Sequence, residues 1–202
     1  MSQPGAEPQV ALYYDLGSPY GYLAAERIEA LLGREVEFRP VLLGAIFGKR
    51  GHGSWSLTPL RDDGIAEVER RAARYGLPPV RWPEPWPGNG LFVMRAAIVA
   101  DQMRRGKAFA LAAYRAAFVE GRDLSQLREI DRIATDVGLD AVRVVEELSN
   151  PRVKQKLVDA TTAAWEAGVR GVPTVLVGDV PYFGDDQLDL VARDLAGLTA
   201  AP

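Results

Sequence analysis

Val10-Ala11-Leu12-Tyr13-Tyr14-Asp15-Leu16-Gly17-Ser18-Pro19-Tyr20-Gly21 is the stretch that decides the fold. Val10–Tyr14 is apolar and β-favouring, and Asp15-Leu16-Gly17-Ser18-Pro19 breaks the run, so a short strand should end in a turn. Ser18 followed by Pro19 has the form of a helix start, with an N-cap serine and a proline at the first helical position. The helix is expected from Pro19 to Leu32, with Leu23, Ile28, Leu31 and Leu32 buried and Gly33 as its stop. Val36–Val41 alternates Val36 and Phe38 against Glu37 and Arg39 and reads as a second strand. The chain therefore opens β-α-β.

Further along, Gly44 to Pro59 is rich in Gly, Ser and basic residues and reads as a long loop. From Pro59 to Asn150 the pattern is helical. Helices are expected over Gly64–Tyr75, from Leu91 after an Asn89 cap, and over Lys107–Glu120, Leu124–Val137 and Ala141–Leu148. Trp82–Asn89 is too proline-rich for regular structure. Asn150-Pro151 starts another helix that Gly168 ends. Thr174–Val177 and Val180–Phe183 read as strands joined by a Gly178-Asp179 hairpin turn. Asp185 or Asp186 should cap a last helix carrying Leu188, Val191 and Leu195 on one face. The two ends can complete one four-stranded sheet. The expected architecture is one split α/β domain, residues 8–58 with 151–202, interrupted by a helical insertion at 59–150.

Composition narrows the chemistry. The chain has 202 residues, a net charge of −3 and 48% hydrophobic residues, ordinary values for a globular protein. The mildly acidic, mixed charge argues against a nucleic-acid partner. No apolar run approaches the ~18 residues of a membrane span, and Met1–Glu7 has no signal-peptide character. A cytoplasmic protein with no membrane partner is expected. Cysteine is absent and His52 is the one histidine, which removes a cysteine nucleophile, thiolate metal sites, a His-rich metal site and disulfide exchange by this chain alone.

Three places could carry chemistry. The first is Ser18-Pro19-Tyr20-Gly21, where a helix start favours an anion and a hydroxyl can donate to it; a plain N-cap is the simpler reading. The second is Gly171-Val172-Pro173-Thr174, where a cis Pro173 would leave the Val172 backbone free to pair with an extended ligand. The third is Phe183-Gly184-Asp185-Asp186, two acids at a helix start, one of which could accept from a ligand ammonium. Lys49-Arg50-Gly51-His52-Gly53-Ser54 is either a solvated loop or a basic cover for an anionic substrate. Trp55, Trp82 and Trp86 either pack the insertion on the sheet or wall an aromatic pocket. The run Glu67-Val68-Glu69-Arg70-Arg71 reads as a solvated helix face.

In this order the motifs resemble the DsbA-like group of thioredoxin folds. Asp15-Leu16-Gly17-Ser18-Pro19-Tyr20-Gly21-Tyr22-Leu23-Ala24 is similar to the D-x-x-S-P-Y-x-Y-L-A motif of the 2-hydroxychromene-2-carboxylate isomerases and kappa-class glutathione transferases. Gly171-Val172-Pro173-Thr174 and Phe183-Gly184-Asp185-Asp186 match their later motifs. Redox members of the fold carry C-x-x-C where Ser18 and Gly21 stand here. The resemblance implies a thioredoxin-like α/β fold with an all-helical insertion, a homodimer, and an isomerase that uses glutathione, or another low-molecular-weight thiol, on a small aromatic unsaturated ketoacid. It implies that Ser18 holds the thiolate, that Val172 before Pro173 pairs with the cysteinyl backbone, and that Asp186, with Asp185, holds the γ-glutamyl end. Arg61, in Pro59-Leu60-Arg61, stands where these families have a lysine near the thiol ligand. Gln187 replaces their common arginine. A glutathione-transferase-like activity, or a family member that uses another thiol or another unsaturated substrate, is also compatible with the resemblance, and a redox-inactive thioredoxin-like module that binds a peptide by its exposed backbone is the second reading.

Overall fold

The computed structural model describes residues 8–51 and 53–199. Four strands form one sheet in the order β2-β1-β3-β4. β1 (Val10–Tyr14) pairs in parallel with β2 (Glu37–Pro40) and antiparallel with β3 (Thr174–Val177), which forms a hairpin with β4 (Val180–Phe183). Gly178 turns that hairpin at φ 57°, a value only glycine takes without strain. α1 (Pro19–Ala25) and α2 (Ile28–Leu32) connect β1 to β2. After β2 come α3 (Leu43–Arg50), α4 (Arg61–Arg74), α5 (Leu91–Gln102), α6 (Gly106–Phe118), α7 (Leu127–Asp136), α8 (Ala141–Glu147) and α9 (Pro151–Glu166), and α10 (Leu188–Thr199) follows β4. This is the expected thioredoxin-like α/β arrangement with helices set into it.

β1 is buried at every residue because both sheet faces are covered. Leu12 and Tyr14 face the main core with Met94, Phe109, Tyr114 and Ile130 from the helical segment. Ala11 and Tyr13 face a smaller cluster with Ile46, Ala164 and Val172. Residues two apart along the strand thus tie both layers to one sheet.

Several expectations need correction. The single helix over Pro19–Leu32 is two, broken at Glu26-Arg27, and Leu31 is 37% exposed. Arg27 lies across the Tyr75 ring at 3.3 Å and donates to the Asp185 carbonyl, which a continuous helix would not have to accommodate. The loop expected over Gly44–Pro59 contains α3 and a single 3-10 turn at Trp55–Leu57. Gly44 and Gly48 each cost a helix about 1 kcal/mol, so propensity argued against α3. Tertiary contacts outweigh it. The Asp15 carboxylate accepts from the Leu43 N–H at 2.8 Å, the Thr161 hydroxyl accepts from the Leu42 N–H at 3.0 Å, and Ile46 is fully buried. The proposed acidic cap of the last helix is also replaced: a 3-10 turn over Asp185–Gln187 leads into α10, and the Asp185 carboxylate is engaged elsewhere.

Candidate active site

Ser18 caps α1 as its position after the turn requires. Its Oγ accepts from the Gly21 N–H at 3.2 Å, and the residue is 4% exposed. The hydroxyl proton has no acceptor among the described residues, so it can donate into the cleft that Ser18 lines. That cleft holds about 790 Å³. It runs between the turn after β1, α3, the Trp55 turn, the Trp86–Leu91 segment and the Gly171-Val172 turn. Pro173 follows a cis peptide bond. Among the described residues the Val172 N–H and C=O have no hydrogen-bond partner, while the Gly171 and Pro173 carbonyls on either side take the Thr174 hydroxyl and the Gly184 N–H. Ser18 and Val172 therefore line one cleft, although 154 positions separate them in sequence.

The cleft wall is aromatic. Tyr20 meets Trp55 edge-on at 6.0 Å, and Trp55 meets Trp86 at 5.4 Å. Trp82 packs behind Trp86 at 4.5 Å and on Phe118 at 6.0 Å, joining this wall to the core. Tyr22, on the other side of Gly21, is fully buried. Asp15 also lines the cleft; the sequence places it in the turn and at the head of the family motif without giving it a role in the site. Burial pushes its carboxyl up, against the hydrogen bonds from Leu43 and Gly17. The Asp15-Leu16-Gly17 spacing signals the bond to Gly17 but not the one to Leu43. Arg50 is the one cation among the described lining residues. It donates to the Arg170 carbonyl at 2.8 Å, next to the Gly171-Val172 turn. His52 lies outside the described residues.

The two aspartates have different surroundings. Asp185 is 1% exposed and accepts from Arg71 at 2.8 Å and from the Tyr75 hydroxyl at 2.9 Å. Asp186 is 51% exposed, with one oxygen 3.5 Å from Arg71. Neither lines the cleft, nor does Arg61, which donates to the Trp86 carbonyl at 3.3 Å and lies near its ring. Arg71 is thus not on a solvated face: it joins α4 to the turn before α10. Burial pushes the Asp185 carboxyl up, and Arg71 and Tyr75 pull it back without cancelling the shift.

Arg71→Ala should cost about 2 kcal/mol near neutral pH. A fully buried pair would lose ~3–5 kcal/mol, but Arg71 is 22% exposed. A carboxyl raised in the fold binds its proton more tightly than the unfolded chain does. Its destabilisation is absent at low pH and grows as pH rises through the folded value. Without Arg71 that value rises further, so thermal melts should show a smaller loss at about pH 4.5 than at about pH 8. Equal losses at both would mean that Asp185 does not depend on Arg71.

The sheet order, the cis turn and the serine-capped helix define a thioredoxin-fold protein whose site lacks the dithiol. The chain belongs to the DSBA-like thioredoxin domain family, whose model matches residues 9–196. It is 30% identical over 188 residues to the 2-hydroxychromene-2-carboxylate isomerase of Sphingobium xenophagum, covering 90% of this chain and 95% of that one. It is 23% identical to glutathione S-transferase kappa 1 of Homo sapiens, covering 91% and 89%. A solved 2-hydroxychromene-2-carboxylate isomerase superposes with a TM-score of 0.84 at 22% identity, covering 94% and 95%. Its place in the family is the branch that holds these isomerases and the kappa transferases.

Proposed function

We propose that the protein is an isomerase that uses a small thiol, glutathione first among them, to interconvert the cis and trans forms of an aromatic unsaturated ketoacid. One observation carries this reading: the spare hydroxyl proton of buried Ser18 and the unpaired Val172 backbone line the same cleft. The residues suit a tripeptide thiol. Val172 offers one N–H and one C=O, the pair an extended cysteinyl residue needs. Asp186 is exposed enough to accept from an ammonium, and Asp185, tied to Arg71 and Tyr75, holds that turn in place. Arg61 acts through Trp86.

When bound, such a thiol supplies a nucleophilic sulfur that adds reversibly to a conjugated double bond and so permits rotation about it. Ser18 donates a hydrogen bond from its hydroxyl to the sulfur, keeping its own proton, and so favours the thiolate. Tyr20, Trp55 and Trp86 stack an aromatic ring, and Arg50 meets a carboxylate. The binding-module reading has only the Val172 backbone in its favour; a peptide site has no need of a buried hydroxyl beside it.

The test is isomerisation of 2-hydroxychromene-2-carboxylate by the purified protein with glutathione, with another small thiol, or with none. Saturable dependence on a thiol is expected. Peptide binding without turnover under any thiol would move the protein to the binding-module class.

Two variants probe the walls. A side chain at Gly64 would overlap the Trp55 ring, so Gly64→Ala must displace that indole. An aromatic contact is worth ~0.5–1.5 kcal/mol, which sets an expected rise in KM of about two- to tenfold with kcat nearly unchanged. Arg50→Leu should raise KM about threefold for the ketoacid and leave KM for its methyl ester unaltered, the scale of an exposed ion pair. Equal effects on acid and ester would remove Arg50 from carboxylate recognition.

A further inference from the structure

A second pocket, of about 320 Å³, lies between α3, α5 and α9. That volume falls in the range of small-ligand sites. It shares Leu42 and Leu91 with the thiol cleft, so α3 and the start of α5 partition the two. Its floor is aliphatic, from Leu42, Ala45, Leu91, Leu157 and Val158, and no aromatic ring lines it.

The charge at its edge is one-sided. Lys49, Arg95 and Lys154 line it together with no acidic residue, and none of the three has a carboxylate partner among the described residues. Arg95 donates one N–H to the Leu148 carbonyl at 3.0 Å, yet its Nε is buried without a partner. The rest of the guanidinium lines the pocket beside the two ammonium groups, where an anionic oxygen is favoured over a cation. The Thr161 hydroxyl has its proton on the Leu157 carbonyl at 2.7 Å and accepts from the Leu42 N–H at 3.0 Å, and Thr162 is the other hydroxyl residue lining the pocket.

We infer that this pocket binds a small aliphatic carboxylate, with its chain against Leu157 and Val158 and its head among Lys49, Arg95 and Lys154. The site is separate from the thiol cleft and does not depend on the proposed reaction. An occupant would rest against the far side of Leu42 and Leu91, outside the thiol cleft.

Calorimetric titration of the full chain with octanoate, octanol and octylamine tests it. Octanoate should bind one per chain and at least about tenfold more tightly than the alcohol or the amine, because only the carboxylate meets the cations. Lys49→Glu with Lys154→Glu, both at exposed positions, should weaken octanoate about tenfold with an unchanged melting temperature, and Lys49→Arg with Lys154→Arg should restore it. Saturating glutathione should leave octanoate affinity unaltered. Absence of binding, equal binding of octanol, or competition by glutathione would each overturn the assignment. So would a dimer that Val158→Glu dissociates, because a second copy of the chain would then cover the pocket.

Discussion

Ser18→Ala is expected to lower kcat/KM at saturating thiol by about ten- to a hundredfold at neutral pH. A hydrogen bond to a charged acceptor is worth ~1.5–3 kcal/mol, and 1.36 kcal/mol is about one pKa unit. A thiol of pKa ~8.5 is only a few per cent thiolate at neutral pH. Lowering that value by about one to two units brings a large share of it to the reactive form. Loss of the hydroxyl should therefore move the rising limb of the pH–rate profile upward by about the same amount. The deficit should shrink as pH approaches 9, where the thiol ionises unaided. Ser18 also caps α1 through the Gly21 N–H, so part of any effect could come from structure. Alanine at an N-cap costs ~1 kcal/mol, glycine only a few tenths. Ser18→Gly should thus show the full loss in rate with nearly the wild-type melting temperature. A Ser18→Ala protein of undiminished rate and lowered melting temperature would leave the serine as a cap and nothing more.

The parts of this site that could be read in the sequence are those whose cause is local. β1, the Ser18-Pro19 helix start, the Asn150-Pro151 start and the Gly178-Asp179 turn each depend on residues within one turn of the chain, and each stands where it was expected. The missed parts depend on distant partners. α3 has two glycines against it and is held by Asp15 and Thr161, 28 and 119 positions from their partners Leu43 and Leu42. The break after α1 accompanies the reach of Arg27 to Tyr75 and Asp185. Arg71 looked like one more charge in a solvated run because its partner Asp185 lies 114 positions away. Helical periodicity carries no information about such a pair. Asp185 looked like a helix cap for the converse reason: an acid at a helix start usually has that role, and here the half-buried Arg71 guanidinium and the Tyr75 hydroxyl compete for it successfully.

Gly21→Ala should be the most destabilising single change near the site, at about 3 kcal/mol. A Cβ at Gly21 would overlap the Tyr114 hydroxyl, and the Tyr114 ring carbon bearing it lies 3.1 Å from the same point. Tyr114 is fully buried and donates to the Asp15 carbonyl at 3.0 Å, so it has no free space into which to retreat. Overpacking a close-packed core costs ~1–3 kcal/mol, and forcing Tyr114 off Asp15 adds about 1 kcal/mol. For a chain of this size the sum corresponds to a melting temperature lower by about 6–12 °C. Tyr114→Phe alone should cost only about 1 kcal/mol, because the Asp15 carbonyl keeps the Ser18 N–H at 3.0 Å. Removing the hydroxyl also removes the worst overlap, so Gly21→Ala with Tyr114→Phe should be more stable than Gly21→Ala alone. A double-mutant cycle by thermal or urea unfolding would read this as a coupling of about 1–2 kcal/mol. Strict additivity would mean that α1 shifts to accommodate the methyl group without touching Tyr114. The same geometry bears on the chemistry of the site. Gly21 holds the position of the second cysteine in a C-x-x-C motif, and the space a thiol would need there is filled by the Tyr114 hydroxyl. Ser18→Cys with Gly21→Cys should therefore carry the Gly21→Ala penalty rather than restore a dithiol site, unless Tyr114→Phe is made with it.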